Sequence, residues 1–353
     1  MNTHTRARLS GLALFVAALT LACATTAQVR QPTTAEAAAA ADYTVSGPYT
    51  HKNLSVFLVR AKDKTADGGN FLTLQEALQQ KKVVVYETRN VNELAIENVS
   101  GEDVFVQSGD IVKGGQQDRM LAIDLVVQAH SGRIAISAFC VEHGRWTKRG
   151  AEAAAQFSTS TDRAATKDLK LAARSARSQG QVWAKVEEAQ SKLSHNVGGA
   201  VNSDASPTSL QLSLENPKVR ATADEYVRAL TSAPVGDADV VGYAFAVNGQ
   251  INSAEVYASH ALFLKLWSGL LKASAVEAVA ELQPDAKSAP EKSAADVRAF
   301  LSESEKADAK QEAVGARVQL VTRESKSNVM FETRSTSGAS ASKMVHKSYI
   351  KKE

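Results

Sequence analysis

Two short polar segments carry the side chains best suited to chemistry, residues 109–119 and residues 140–146. Arginine guanidinium groups are forked donors for an anion, a glutamate accepts from ligand hydroxyls, glutamine amides do both, and a tryptophan offers a stacking face. The two segments therefore predict a site for a small polar or anionic molecule. The candidate ligand-binding residues are Gln116, Gln117, Arg119, Glu142, Arg145 and Trp146.

Two other functions remain open for the same residues. In a hydrolase or transferase acting on a phosphorylated or glycosidic substrate, Glu142 would be the general base and Arg119 would clamp the anion. Such an enzyme needs a second acid or an activated nucleophile, for which Asp110, Asp118 and Glu255 are the candidates. In a structural envelope protein, Arg119 and Glu142 would instead form an ion pair that closes the end of a sheet.

Other chemistries find less support in the sequence. The spacings of a phosphate-binding loop, a dinucleotide-binding glycine motif and a hydrolase nucleophile elbow are absent. The histidines show no metal-ligand spacing with acids or cysteines, so neither a metal nor another cofactor is expected. Cys140 and His143 could form a nucleophilic pair, but the apolar setting of Cys140 favours a buried, inert thiol.

The two polar segments flank a predicted β-hairpin over residues 121–141. Apolar residues alternate along 121–127 and again along 134–140, and residues 129–132 supply the turn. Pairing Leu121 with Cys140 matches every apolar side chain with another and sets Arg119 opposite Glu142. This register would bring the two polar segments together at the open end of the hairpin.

The remaining pattern predicts an α+β fold, in which antiparallel sheets carry several packed helices. Asn248-Gly249 is a strong turn signal for a second hairpin over residues 240–257. Thr73 and Glu76 form a capping box for a short helix, and Ser259 is placed to cap a helix that extends to residue 279. Further helices are predicted at 162–193, with Gly180 as a weak point, at 221–230 and at 296–304. Further strands are predicted at 54–59, 83–86, 94–96, 104–106, 317–322, 329–333 and 344–350.

The N-terminus has the pattern of a signal peptide. Arg6 and Arg8 precede an apolar run over residues 9–21, which is too short to span a membrane comfortably, and small residues follow it. Cleavage after Ala27 would give a periplasmic or secreted protein. Lipidation of Cys23 would instead anchor the protein to a membrane. No other stretch is long and apolar enough to predict a span.

We expect five regions along the chain: a signal peptide (1–27), a flexible tether (28–42), the main α+β domain (43–281), a charged linker with a short helix (282–316), and C-terminal strands that complete the sheet (317–353). Without the first 27 residues the chain keeps 39 basic and 38 acidic side chains, a net charge of +1. A nearly neutral domain has no electrostatic reason to bind nucleic acid. A small-molecule ligand is the partner we expect.

The sequence resembles the family of the ARG and rhodanese-phosphatase-superfamily-associated protein domain. The resemblance rests on residues 73–78, on 109–110 with 114–119, on 140–146, and on 181–183, 206–208 and 242–267. The family pattern has Lys-Gln-Asn-Arg where this chain has Gln116-Gln117-Asp118-Arg119. The family's name implies association with ADP-ribose-related and phosphatase-like domains, and hence a nucleotide-derived ligand. Export would weaken that implication, because free nucleotides are scarcer outside the cytoplasm.

Overall fold

A computed structural model describes residues 43–62, 69–88, 90–149, 156–283, 291–314, 317–336 and 343–352. Within these ranges, seventeen strands form three sheets, and seven helices pack against them. The fold is therefore α+β, as the sequence predicts. The expected signal peptide and tether lie outside the described residues.

The largest sheet joins strands from both ends of the described chain. In spatial order its eight antiparallel strands are β1 (Tyr43–His51), β2 (Leu54–Ala61), β12 (Val240–Val247), β13 (Gln250–Tyr257), β17 (Lys343–Lys351), β16 (Asn328–Ser335), β15 (Val318–Glu324) and β14 (Ala309–Val314). Consecutive residues are buried along 54–59 of β2 and along the whole of β12, because both faces of the sheet are covered. Such strands are continuous apolar runs rather than alternating ones.

Two smaller sheets complete the fold, and the six-stranded one carries the polar segments. The six-stranded sheet has the order β11 (Phe157–Arg163), β7 (Asp110–Gly114), β8 (Arg119–Leu121), β10 (Gly132–Cys140), β5 (Glu93–Asn98) and β4 (Val83–Glu87). The three-stranded sheet has the order β3 (Leu72–Thr73), β6 (Val104–Val106) and β9 (Leu125–Val127). The first polar segment thus covers β7 and the turn into β8.

Helices cover both faces of the large sheet. They are α1 (Leu74–Gln79), α2 (Lys167–Arg174), α3 (Gln179–Asn196), α4 (Leu210–Leu214), α5 (Pro217–Leu230), α6 (His260–Ala280) and α7 (Ala294–Ser304). Phe263 and Leu271 of α6 pack with Tyr243 in the main core. On the opposite face, Phe300 of α7 packs with Tyr349. Burial of these large apolar side chains is the main favourable contribution to folding.

Several elements form where local sequence signals predict them. Thr73 and Glu76 make both hydrogen bonds of the capping box, and the Ser259 hydroxyl accepts the Leu262 N–H at the start of α6. Asn248 and Gly249 connect β12 to β13 with φ angles of 51° and 72°, which are the angles of a type I′ turn. These predictions are confirmed.

The predicted hairpin over residues 121–141 is wrong. Leu121 pairs with Ala138 rather than with Cys140, and β8 ends there. The following strand, β9, pairs with β6 in another sheet, and β10 continues alongside β5. A shift of two residues keeps every side chain on the same face, so apolar alternation cannot detect it. Asp124, which is fully buried among polar partners, lies where the chain leaves the sheet.

The C-terminal part holds one element that the sequence pattern does not indicate. β14 lies within the region predicted as a charged linker, and it forms the edge of the large sheet with mostly exposed side chains. Exposed, polar edge strands lack the apolar alternation by which strands are recognised. Among the described residues, no helix is long and apolar enough to cross a membrane.

Candidate functional site

Glu142 lies at the centre of a buried polar group of residues, which we call the Glu142 cluster (Asp118, Glu142, Arg145, Arg149 and Ser206). The Glu142 side chain has no solvent exposure. Oε1 accepts from the Asp118 backbone N–H at 2.7 Å and from Arg145 Nε at 2.8 Å, and Oε2 accepts from the Ser206 hydroxyl at 2.7 Å. Both carboxylate oxygens are therefore engaged, as a buried charge requires.

Asp118 forms the second half of the Glu142 cluster. Its Oδ1 accepts the Gly114 N–H at 3.0 Å, and its Oδ2 accepts from Arg149 Nη1 at 3.0 Å. Arg145 Nη2 lies 3.7 Å from Asp118 Oδ1 and also bonds Glu142, so this guanidinium spans both carboxylates. Burial, and after it the Glu142 charge, raise the pKa of Asp118. Two carboxylates thus face two arginines in a closed arrangement.

Distant segments of the chain hold the backbone around Glu142. The Gln179 side chain accepts the Cys140 N–H and donates to the Cys140 carbonyl, both at 2.9 Å. Trp183 Nε1 donates to the Glu142 carbonyl at 3.1 Å, and the Thr208 hydroxyl accepts the next backbone N–H at 2.9 Å. Segments that are far apart in the sequence therefore meet at one place, where they satisfy each other's hydrogen bonds.

Arg119 does not pair with Glu142, so the predicted ion pair is wrong. Arg119 lies opposite Cys140 across the β8–β10 ladder. Its Nη2 donates to Glu87 Oε1 at 2.9 Å and its Nη1 to the Val91 carbonyl at 2.5 Å. The sequence pattern gives no sign of Glu87, because this acid comes from a different strand and the shifted register decides which partner Arg119 meets.

The structure separates the other predicted ligand-binding residues. The side chain of Gln116 is exposed, and that of Trp146 is 51% exposed. Gln117 is fully buried, and within the described chain neither atom of its amide has a hydrogen-bond partner. Of the six predicted residues, only Glu142 and Arg145 bond each other. Ligand binding by this set stays a prediction.

An open groove lies on another part of the molecule. The β1–β2 turn, the β12–β13 turn, the first turn of α2, one side of α3 and the last turns of α6 surround it, and its volume is about 960 Å³. We call it the polar groove. A second cavity, of about 30 Å³, lies beside Asp110 and Arg163. Neither cavity is lined by a member of the Glu142 cluster.

One wall of the polar groove is a ladder of ion pairs. Lys185 contacts Asp168 at 3.4 Å and Glu188 at 2.8 Å, and Lys192 contacts Glu188 and Glu281, each at 2.7 Å. Each of these charges has an opposite charge beside it. Two lysines and three acids thus form a polar surface with a net charge of −1, in which every charge has a partner.

The floor of the polar groove is formed by Glu277 of α6 and Asn252 of β13. Glu277 Oε1 accepts the Lys167 backbone N–H at 3.0 Å and Asn252 Nδ2 at 2.8 Å. The exposed fractions are 2% for Glu277 and 6% for Asn252. Burial raises the pKa of Glu277. No pattern in the sequence singles out either residue, because their proximity depends on how α6 packs against the large sheet.

The chain matches the sequence profile of the ARG and Rhodanese-Phosphatase-superfamily-associated Protein domain over residues 42–350. The match spans most of the chain and nearly all of the described residues. The chain belongs to this family. No curated protein and no solved structure matches it.

In this family member, four of the segments that carry the resemblance converge on the Glu142 cluster. Residues 114–119 supply Asp118, and residues 140–146 supply Glu142 and Arg145. Residues 181–183 supply Trp183, and residues 206–208 supply Ser206 and Thr208. The motif residues are therefore neighbours in space. Their mutual hydrogen bonds give the motif a role in holding the fold.

A second buried charge network surrounds His346 on β17. The ring lies between two carboxylates, with Nδ1 2.8 Å from Asp124 Oδ2 and Nε2 2.9 Å from Glu255 Oε2. Arg174 Nη2 lies 3.3 Å from Asp124, and Lys170 Nζ lies 3.4 Å from Glu255. Burial disfavours the charged ring, but the two carboxylates outweigh it and raise the pKa of His346. No sequence motif marks this network, because its members are far apart along the chain.

The three candidate second acids occupy three different places. Asp118 lies beside Glu142, whereas Asp110 pairs with Arg163 and Glu255 pairs with His346. Burial acts to raise the pKa of Glu255, but Lys170 and His346 lower it to about 2. Asp118 is thus the one candidate that the fold brings next to Glu142. Among the described residues, no group of three or more histidines, cysteines or acids could hold a metal ion.

Proposed function

We propose that this protein is exported and binds a small polar molecule in the polar groove. The observation that carries this proposal is the groove itself, an open space of about 960 Å³ lined by lysines, acids and side-chain amides. Concave sites of this size with a few convergent polar groups are the usual places where proteins bind small molecules.

The Glu142 cluster is a poorer candidate for a ligand. Both oxygens of Glu142 already have donors, and both arginines of the cluster contact carboxylates. A ligand or substrate would have to break these bonds and leave a buried charge without a partner, which is costly. A substrate has no open approach to Glu142 in this arrangement, so the geometry does not favour a role for Glu142 as a general base.

The lining of the groove also bears on the class of ligand. None of the described lining residues is aromatic, and none is an arginine. A nucleotide is commonly held by base stacking and by forked contacts to phosphate, and the groove offers neither. We therefore favour a small polar ligand over the nucleotide-derived ligand that the family's name implies.

A thermal-shift screen of the mature protein against sugars, amino acids, organic acids and nucleotides tests the proposal. Gln250→Trp places a large ring at the groove, since Gln250 is exposed and lines it. Gln311→Trp on the exposed edge strand β14 is the matched control. We expect a ligand whose stabilising effect is lost in Gln250→Trp and kept in Gln311→Trp.

Two further variants separate the groove from the signature residues. In the folded forms of Glu142→Gln and Arg119→Ala, the same ligand should still bind, because neither residue lines the groove. A ligand whose binding is lost in these two variants but kept in Gln250→Trp would refute the groove and restore the site predicted from the sequence.

Export has its own test, which is mass spectrometry of the protein recovered from the cell envelope. Cleavage after Ala27 would leave Gln28 as the first residue, and lipidation would leave a modified Cys23. An intact Met1 in the protein from cells with a working secretion system would refute export.

A further inference from the structure

Two buried oxygen atoms at the floor of the polar groove lack a hydrogen donor. Glu277 Oε2 and Asn252 Oδ1 are closed off from solvent, and within the described chain neither has a partner. Their own residues are held in place, because Asn252 Nδ2 donates to Glu277 Oε1 at 2.8 Å. Buried acceptors without a donor are rare, because the loss of hydration is not repaid. Because the two side chains are bonded to each other, the floor of the groove offers two neighbouring residues whose acceptors take no donor from the described chain.

A hydrogen-bond donor without an acceptor lies at the same end of the groove. Lys167 lines the groove at the first turn of α2, and in the part of the chain that the structure describes its ammonium forms no ion pair or hydrogen bond. The other three groove lysines, Lys52, Lys185 and Lys192, all contact carboxylates. The N-terminus of α2 adds a partial positive charge next to Lys167.

Elsewhere in the lining, the Glu291 carboxylate has no ion pair among the described residues, and its Oε1 accepts from the Thr50 hydroxyl at 2.6 Å. In the ladder along α3 every charge already has a partner of opposite sign, so these side chains contribute little to holding a charged ligand. At the floor of the groove, the unpaired groups are the Lys167 ammonium and two oxygen acceptors, one of which belongs to the Glu277 carboxyl group. A molecule that carries one positive and one negative group would satisfy all of them.

We propose that the polar groove binds a zwitterion of the amino-acid or short-peptide class. The ligand's ammonium donates to Glu277 Oε2 and Asn252 Oδ1, and its carboxylate accepts from Lys167. Both acceptors are closed off in the ligand-free structure, so the Glu277 carboxylate has to turn about its soft terminal torsion to meet the ligand. That turn exchanges the bonds of Oε1 with the Lys167 N–H and with Asn252 Nδ2 for the contact with the ligand's ammonium. This assignment rests on the proposed function, because it names the ligand class of the same groove.

Calorimetric titration with three forms of one dipeptide tests the assignment. Ala-Ala carries both charges, N-acetyl-Ala-Ala lacks the ammonium, and Ala-Ala amide lacks the carboxylate. We expect Ala-Ala to bind and each of the other two forms to bind about tenfold more weakly or worse, since each loses a charge-assisted contact.

Two variants test which residue of the groove binds each charged group of the ligand. In Lys167→Met, Ala-Ala and its amide should bind equally, because the carboxylate contact is gone from both. In Glu277→Gln, the preference for Ala-Ala over its N-acetyl form should shrink, because the ammonium then meets only neutral acceptors. Lys52→Met is the matched control, since Lys52 lines the groove but already contacts Glu225 at 2.5 Å. It should preserve the differences among the three peptides.

Three results would overturn the zwitterion assignment. One is that no form of the dipeptide binds, and another is that all three bind equally. The third is that Glu277→Gln stabilises the protein and leaves the affinity for Ala-Ala unchanged, because Glu277 would then be a neutral acid that gives its own proton to Asn252. If the broad screen meanwhile finds a ligand that Gln250→Trp displaces, the proposed function stands and only the ligand class falls. If Gln250→Trp abolishes the binding of no ligand, both the proposed function and the zwitterion assignment are refuted.

Discussion

Replacing His346 with glutamine removes the shared partner of two buried carboxylates. The ring approaches Asp124 at 2.8 Å and Glu255 at 2.9 Å, and all three residues are at most 2% exposed. The glutamine amide has one nitrogen and can donate to one carboxylate well, so the other loses its contact. Breaking a buried ion pair by removing one partner costs about 3–5 kcal/mol, and we expect a loss of this size in the free energy of unfolding.

The pH dependence of this stability has a defined sign. Because the pKa of His346 is raised above its usual 6.5, its contribution is complete below pH 6.5 and is lost as the pH rises through the raised pKa. Burial alone would raise the pKa of Asp124, but Arg174 and His346 lower it well below its usual 3.8, so its contribution is complete above pH 3.8 and is lost at lower pH. The stability gap between wild type and His346→Gln should therefore narrow towards alkaline pH.

Urea unfolding curves over a range of pH measure this gap. The matched control is His260→Gln, since His260 is partly exposed and its ring makes one hydrogen bond, to the Val240 carbonyl. In the control, the free energy of unfolding should fall by about 1 kcal/mol. A loss in His346→Gln no larger than that of the control, or a gap that widens as the pH rises above 6.5, would refute the idea of a charged ring between two carboxylates.

Three further predictions concern the six-stranded sheet and the segment that follows it. Glu142→Gln should lower the free energy of unfolding by about 3–5 kcal/mol in urea titrations, because it leaves Arg145 without its nearest carboxylate; an unchanged midpoint would contradict the structural role of the Glu142 cluster. Gly115→Ala should lower the melting temperature, since φ is +56° there and an added Cβ would lie 2.5 Å from the Phe157 ring; a melting temperature equal to wild type would show that the turn is not tight. Cys140 should react with a thiol reagent only on unfolding, because burial raises the pKa of its thiol and hides it; rapid labelling of the native protein would exclude this.

Local signals in the sequence determine the elements that local interactions form. Asn248-Gly249 specifies its hairpin because both residues accept positive φ angles, and Thr73 with Glu76 specifies the start of α1 because the cap bonds lie within four residues. The family is likewise evident from the sequence, since residues 109–119 and 140–146 form a specific pattern. Glu142 and Arg145 are only three positions apart, so their proximity also follows from the sequence.

Tertiary structure alone decided the partners of the buried charges and the place of the groove. Arg119 meets Glu87 rather than Glu142 because a register shift of two residues leaves the apolar pattern unchanged while it changes every polar neighbour. His346 joins residues that lie 222 and 91 positions away, and the groove joins turns and helices from residue 50 to residue 291. Such contacts depend on how sheets and helices pack, and no spacing within a short segment encodes them. The sequence thus determined which residues are chemically capable, and packing decided which of them face each other and which face open space.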